Sequence, residues 1–126
     1  MAKILIVDDS LTVTAVFQRM LVRAGHVVTV AGDGASGLSA ARAEHPDLVV
    51  LDRVLPDMEG CEVCHTLRAD PQLATVKVLM LTGSAGEADL AQGKAAGVDG
   101  FLTKDSGLAK ISEAIGQLLE EVSARP

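Results

Sequence analysis

The 126-residue chain has no tryptophan, no tyrosine and only two phenylalanines, Phe17 and Phe101. A core built from it must be aliphatic, and the aromatic rings that usually flank a bound flavin are missing. The two cysteines, Cys61 and Cys64, are too few for a disulfide framework at this length. Positive charge is short as well. Eleven Lys and Arg face 17 Asp and Glu, a net charge of −6 that argues against a general nucleic-acid or anionic-membrane surface. No apolar run is long enough to span a bilayer. The first residues carry no apolar signal region with a small-residue cleavage site. The expectation is a cytoplasmic protein without membrane insertion.

What is present is an alternating pattern. Short runs rich in Val, Ile and Leu occupy 3–7, 27–31, 48–52, 77–81 and 99–102, and their near-continuous apolarity is that of strands buried on both faces of a parallel sheet. Helical segments fill the gaps at 11–24, 35–45, 59–69, 87–96 and 107–122. In the first, Val13, Val16, Phe17, Met20, Leu21 and Ala24 form one stripe, and Gly25 follows as a stop signal. Pro46 and Pro71 end the second and third, because the residue before proline is driven out of the α region. Five strands alternating with five helices give one doubly wound α/β domain over 1–126, with its core in 3–122. Right-handed crossovers with helices on both faces favour strand order 2-1-3-4-5. That order makes the first and third strands neighbours at the switch point where such sheets bind ligands.

Four runs end in polar residues. The first ends in Asp8-Asp9, the third in Asp52, the fourth in Thr82, and the fifth in Thr103-Lys104. On one carboxyl edge these supply three carboxylates, a hydroxyl and an ammonium. Three close carboxylates repel, and one would take up a proton unless a cation intervened. Mg²⁺ suits them, since it binds one or two carboxylates and keeps positions for water and phosphate oxygens; Mn²⁺ would satisfy the same ligands. With Thr82 donating to a phosphoryl oxygen and Lys104 neutralising charge, the set suits phosphoryl transfer to a carboxylate.

The chain resembles the receiver domain of two-component response regulators. The resemblance is carried by Ile4-Leu-Ile-Val-Asp8-Asp9-Ser10, Pro46-Asp47 through Asp52-Arg-Val-Leu-Pro56-Asp-Met58-Glu-Gly60, Met80-Leu-Thr82-Gly83 and Gly97-Val-Asp-Gly-Phe101-Leu-Thr-Lys104. It implies a flavodoxin-like fold and a signalling module rather than an enzyme. It makes Asp52 the phosphoacceptor, supplied by a histidine kinase or histidine phosphotransfer protein. Asp9 would bind the metal directly, Asp8 through water, and Val54 through its backbone carbonyl. Lys104 would pair with the phosphoryl group. Thr82 and Phe101 would form the switch, reshaping a surface of the fourth helix, fifth strand and fifth helix for a downstream protein. Ser10, Leu11, Thr14 and the loop at Asp105 would face the histidine donor.

The chain departs from that family in places. Asp105 stands where proline usually follows the lysine, so the Lys104–Asp105 bond should be trans, or cis under strain, with some risk to the placement of Lys104. Phe101 replaces the commoner tyrosine. Gly83-Ser84-Ala85-Gly86 should make a loose loop. Arg53 should point away from Asp52, since side chains alternate along a strand. Asp57 reads as the N-terminal residue of the third helix. Cys61-Glu-Val-Cys64-His65 has the spacing of haem attachment or a redox pair but reads better as helical filler. His26 and His45 read as surface residues, and Gly32-Asp33-Gly34 as a turn into a helix. Three other functions compete with this one. A degenerate receiver would act as a scaffold without phosphorylation. A metal-dependent phosphatase with Asp8 as nucleophile would have its second acid where Ser10 stands. In a flavodoxin-like electron carrier, Asp8 and Asp9 would repel the flavin phosphate. The chain could equally be the receiver portion of a longer regulator.

Overall fold

The computed structural model describes residues 2–83 and 87–123. Along them run β1 (Lys3–Val7), α1 (Leu11–Arg23), β2 (Val27–Ala31), α2 (Gly34–Glu44), β3 (Leu48–Asp52), α3 (Gly60–Ala69), β4 (Lys77–Thr82), α4 (Glu87–Ala96), β5 (Gly100–Thr103), a single 3₁₀ turn (Lys104–Ser106) and α5 (Leu108–Ser123). The five strands are parallel, in the expected order β2-β1-β3-β4-β5. Element ends fall within a residue or so of the expected ones. The loop residues Ser84, Ala85 and Gly86 lie outside the described residues.

The period-2 geometry of the strands sorts their side chains into two cores. Leu5, Val7, Val49, Leu51, Val78 and Met80 face one side and are covered by Leu38 and Ala41 of α2, Val63, Cys64 and Leu67 of α3, and Ala96 of α4. Ile4, Ile6, Leu48, Val50, Leu79 and Leu81 face the other and meet Phe17 and Leu21 of α1 and Ile111, Ile115 and Leu118 of α5. Both faces of the central strands are therefore dry, which is why their sequences are apolar without alternation.

Local chemistry sets the helix ends. Ser10 caps α1, its hydroxyl accepting the Val13 amide at 3.3 Å. Asp33 caps α2 by accepting the Ser36 amide at 2.7 Å. The chain leaves α2 through His45, an exposed residue in the left-handed region (φ 47°), and leaves α1 and α4 through Gly25 and Gly97 at φ near +95°. His26 is half-buried, and its Nδ1 accepts the Ala2 amide at 3.2 Å. On the edge away from the strand carboxyl ends, Arg68 of α3 donates to the carbonyls of Ala74, Val76 and Gly97 and to Asp99 Oδ2. It ties the α3–β4 connection to the end of α4. None of the helices, over the described residues, is long and apolar enough to cross a membrane.

Candidate functional site

Asp8 follows β1 directly and Asp52 ends β3, and β1 and β3 are hydrogen-bonded neighbours. Adjacency in the sheet, not in the chain, brings their carboxylates together. With Asp9 they place one oxygen each within 4.8 Å of one another. Asp8 and Asp52 are 4% and 7% exposed, whereas Asp9 stands in solvent. Each buried acid has its two oxygens committed differently. Asp8 Oδ1 accepts the Ser10 amide at 2.9 Å, and its Oδ2 lies 2.9 Å from Lys104 Nζ. Asp52 Oδ1 accepts the Val54 amide at 3.4 Å, and its Oδ2 lies 3.2 Å from the same ammonium.

The electrostatics follow from that layout. Burial pushes the Asp52 carboxyl above its ordinary value, and the Asp8 charge adds to this; Lys104 and the Val54 amide oppose them without prevailing. For Lys104, burial works to lower the pKa, but the hydrogen bond to Asp8 and the charges of Asp52 and Asp8 outweigh it and hold the ammonium above its usual value. Two buried acids share one ammonium, with the Asp9 carboxylate beside them. An all-oxygen pocket in that condition fits one further hard cation.

Lys104 makes these contacts without a cis bond, as no cis peptide occurs among the described residues. It begins the 3₁₀ turn after β5, and Asp105 is exposed beside it. Thr82 ends β4, is 3% exposed, and pairs in register with Thr103. Phe101 is half-buried and packs toward α4, where a Cβ on Gly93 would come within 3.0 Å of its ring. Arg53 turns from the acids to Gln92 of α4, 3.1 Å from its Oε1.

The β3–α3 loop carries Val54. It closes on itself through Leu55 N–H to Met58 O (3.2 Å) and Gly60 N–H to Arg53 O (2.7 Å). Here one expectation fails. Asp57 does not begin the third helix, whose N-cap is Glu59. Its carboxylate instead accepts the amides of Gly34 and Ala35, at 2.8 and 2.9 Å, and so caps α2 from across the molecule. The first turn of α2 holds no acid beyond its Asp33 cap, and Asp57 adds a second carboxylate at that end. Cys64 is fully buried in the α3 core and Cys61 half-buried above it. Among the described residues the acidic triad alone gathers three metal-type ligands.

The response regulator receiver domain family matches residues 4–116. Among curated relatives, the alkaline phosphatase synthesis transcriptional regulatory protein PhoP of Bacillus subtilis is 38% identical over 117 residues, 93% of this chain and 48% of the relative. Protein PilH of Pseudomonas aeruginosa is 38% identical over 104 residues, 82% of this chain and 86% of PilH. The chain thus spans about half the length of PhoP and similar regulators but most of PilH. Among solved structures, the chemotaxis response regulator CheY4 of Vibrio cholerae superposes with a TM-score of 0.89 at 30% identity, covering 94% of this chain and 98% of CheY4. A CheY-like receiver from Methanospirillum hungatei gives 0.90 at 28% identity, covering 98% and 97%. The chain belongs to the response regulator receiver domain family, a two-component signalling module rather than an enzyme.

Proposed function

We propose that Asp52 is the phosphoacceptor. The observation that carries this is the buried carboxylate of Asp52 beside Asp8, bridged to it by Lys104 at 3.2 and 2.9 Å. A carboxylate oxygen of Asp52 attacks the phosphorus of a phosphohistidine on a kinase or phosphotransfer protein. The O–P bond forms as the P–N bond breaks, and the electron pair stays on the imidazole nitrogen, which takes a proton from water. Asp8, Asp9, Asp52 and the Val54 carbonyl would hold Mg²⁺, or Mn²⁺, whose charge offsets that of the transferring group. Lys104 steadies the phosphoryl oxygens, and Thr82 donates to one of them. Phe101 follows the Thr82 hydroxyl, altering the α4–β5–α5 face offered to a downstream protein. Hydrolysis of the aspartyl phosphate resets the domain, and the cycle runs in the cytoplasm.

Intact mass spectrometry with Mg²⁺ and acetyl phosphate tests it. The wild type should gain one phosphoryl group, and neither Asp52→Asn nor a metal-free sample should. If the wild type gains nothing from acetyl phosphate or from a phosphorylated histidine kinase although it binds Mg²⁺, Asp52 is not the acceptor and the phosphorylation-independent scaffold reading takes its place.

A further inference from the structure

Among the described residues Lys104 is the cation that bridges the two buried acids, yet the turn that carries it buries no side chain. A lysine stem has four rotatable carbons, so the position of its ammonium depends on how firmly its backbone is anchored. Packing does not anchor this turn. Asp105 is exposed, and Gly107 beyond it adopts φ 97° with open space around it. Thr103, the N-cap of the turn, makes no side-chain capping bond. Its Oγ1 lies instead 2.8 Å from Ser106 Oγ, across the two residues between them. Thr103 is itself fixed in the sheet opposite Thr82. The hydroxyl pair therefore fastens the far end of the turn to the last rung of β4–β5, and Lys104 lies inside the clasp.

We infer that Thr103 and Ser106 are positioning residues that hold Lys104 over Asp8 and Asp52. The inference deepens the phosphoacceptor reading and rests on it for its consequence in phosphoryl transfer. The clasp itself can be read without any phosphoryl donor.

The experiment is NMR of protein labelled with ¹³C,¹⁵N-lysine, with Lys104 assigned from its disappearance in Lys104→Arg. An ammonium held between two carboxylates gives its εCH₂ protons separate shifts, and a freely rotating one merges them. Wild type and Ser106→Thr should show the separated pair. Ser106→Ala and Thr103→Val should each merge it, and the double variant should do no more than either. In parallel, the rate of Asp52 modification by acetyl phosphate with Mg²⁺ should fall about 3- to 10-fold in Ser106→Ala, the effect of one lost hydrogen bond. In a Lys104→Ala background the same change should have no further effect. A separated pair that persists in both Ser106→Ala and Thr103→Val overturns the inference. So does a rate loss of equal size with and without Lys104, which would mark a merely structural role. If the wild type takes up no phosphoryl group, the phosphoacceptor reading fails, and the methylene signals still decide the clasp.

Discussion

A Cβ on Gly60 would collide with the backbone carbonyl oxygen of Asp52 and crowd the Cα of Arg53. The glycine amide also donates to Arg53 O at 2.7 Å, so chain and loop are pressed together where β3 delivers its carboxylate. Backbone cannot move aside as a flexible side chain can. Gly60→Ala should cost about 1–3 kcal/mol, the range for overpacking. Urea denaturation measures that loss, and Asp52 modification should slow in the same variant. An unchanged midpoint would mean that the loop relaxes freely.

Asp57 gives a pH-dependent contribution. The amides of Gly34 and Ala35 hold its carboxyl below the ordinary value of 3.8. A depressed folded pKa stabilises the protein fully above the unfolded value and loses that effect as pH falls through the folded one. Asp57→Ala should therefore melt below the wild type at neutral pH, and the gap should close only under more acidic conditions than 3.8. A gap that is the same at every pH would rule out the ionised tether.

Arg68 gathers carbonyls from two segments together with Asp99, which also accepts the Val78 amide at 2.9 Å. Arg68→Ala strands these acceptors and should cost about 1.5–3 kcal/mol, as for hydrogen bonds to a charged group. Lysine lacks the planar fork, so Arg68→Lys should recover little of the loss. Thermal unfolding of the two variants settles the point, and full recovery with lysine would reduce Arg68 to a point charge.

Burial pushes the Cys64 thiol up from 9.0 to about 11. Because the thiolate is the reactive form, Cys64 should resist alkylation of the native protein near neutral pH and react once the chain is unfolded. Peptide mapping after iodoacetamide treatment distinguishes the two cysteines. Rapid native labelling of Cys64 would mean that α3 opens readily.

Much of the site could be read because sheet position is written locally. Asp8, Asp52, Thr82 and Lys104 each end or follow an apolar run, and a parallel arrangement sends all such endings to one edge. Phe101 could be picked out as a candidate switch residue, although its seat against Gly93 of α4 could not. Asp57 misleads in the sequence because it lies next to α3 in the chain, while its partners lie 22 and 23 residues earlier. The Thr103–Ser106 pair is illegible in the sequence for another reason. Two hydroxyls three apart are common, and only the backbone path between them makes them meet.

Periodicity and punctuation were enough to set the elements, their order and the edge on which the acids collect, because these depend on short-range sterics and on which faces must exclude water. The division of labour among the acid oxygens was settled by the assembled fold. One oxygen of each buried acid meets a nearby amide and the other meets Lys104, and the burial that makes Asp52 a reluctant anion comes from the same assembly. Hydrogen bonds and charge interactions change over fractions of an ångström, and separations that fine exist only once every strand and helix has been packed against its neighbours.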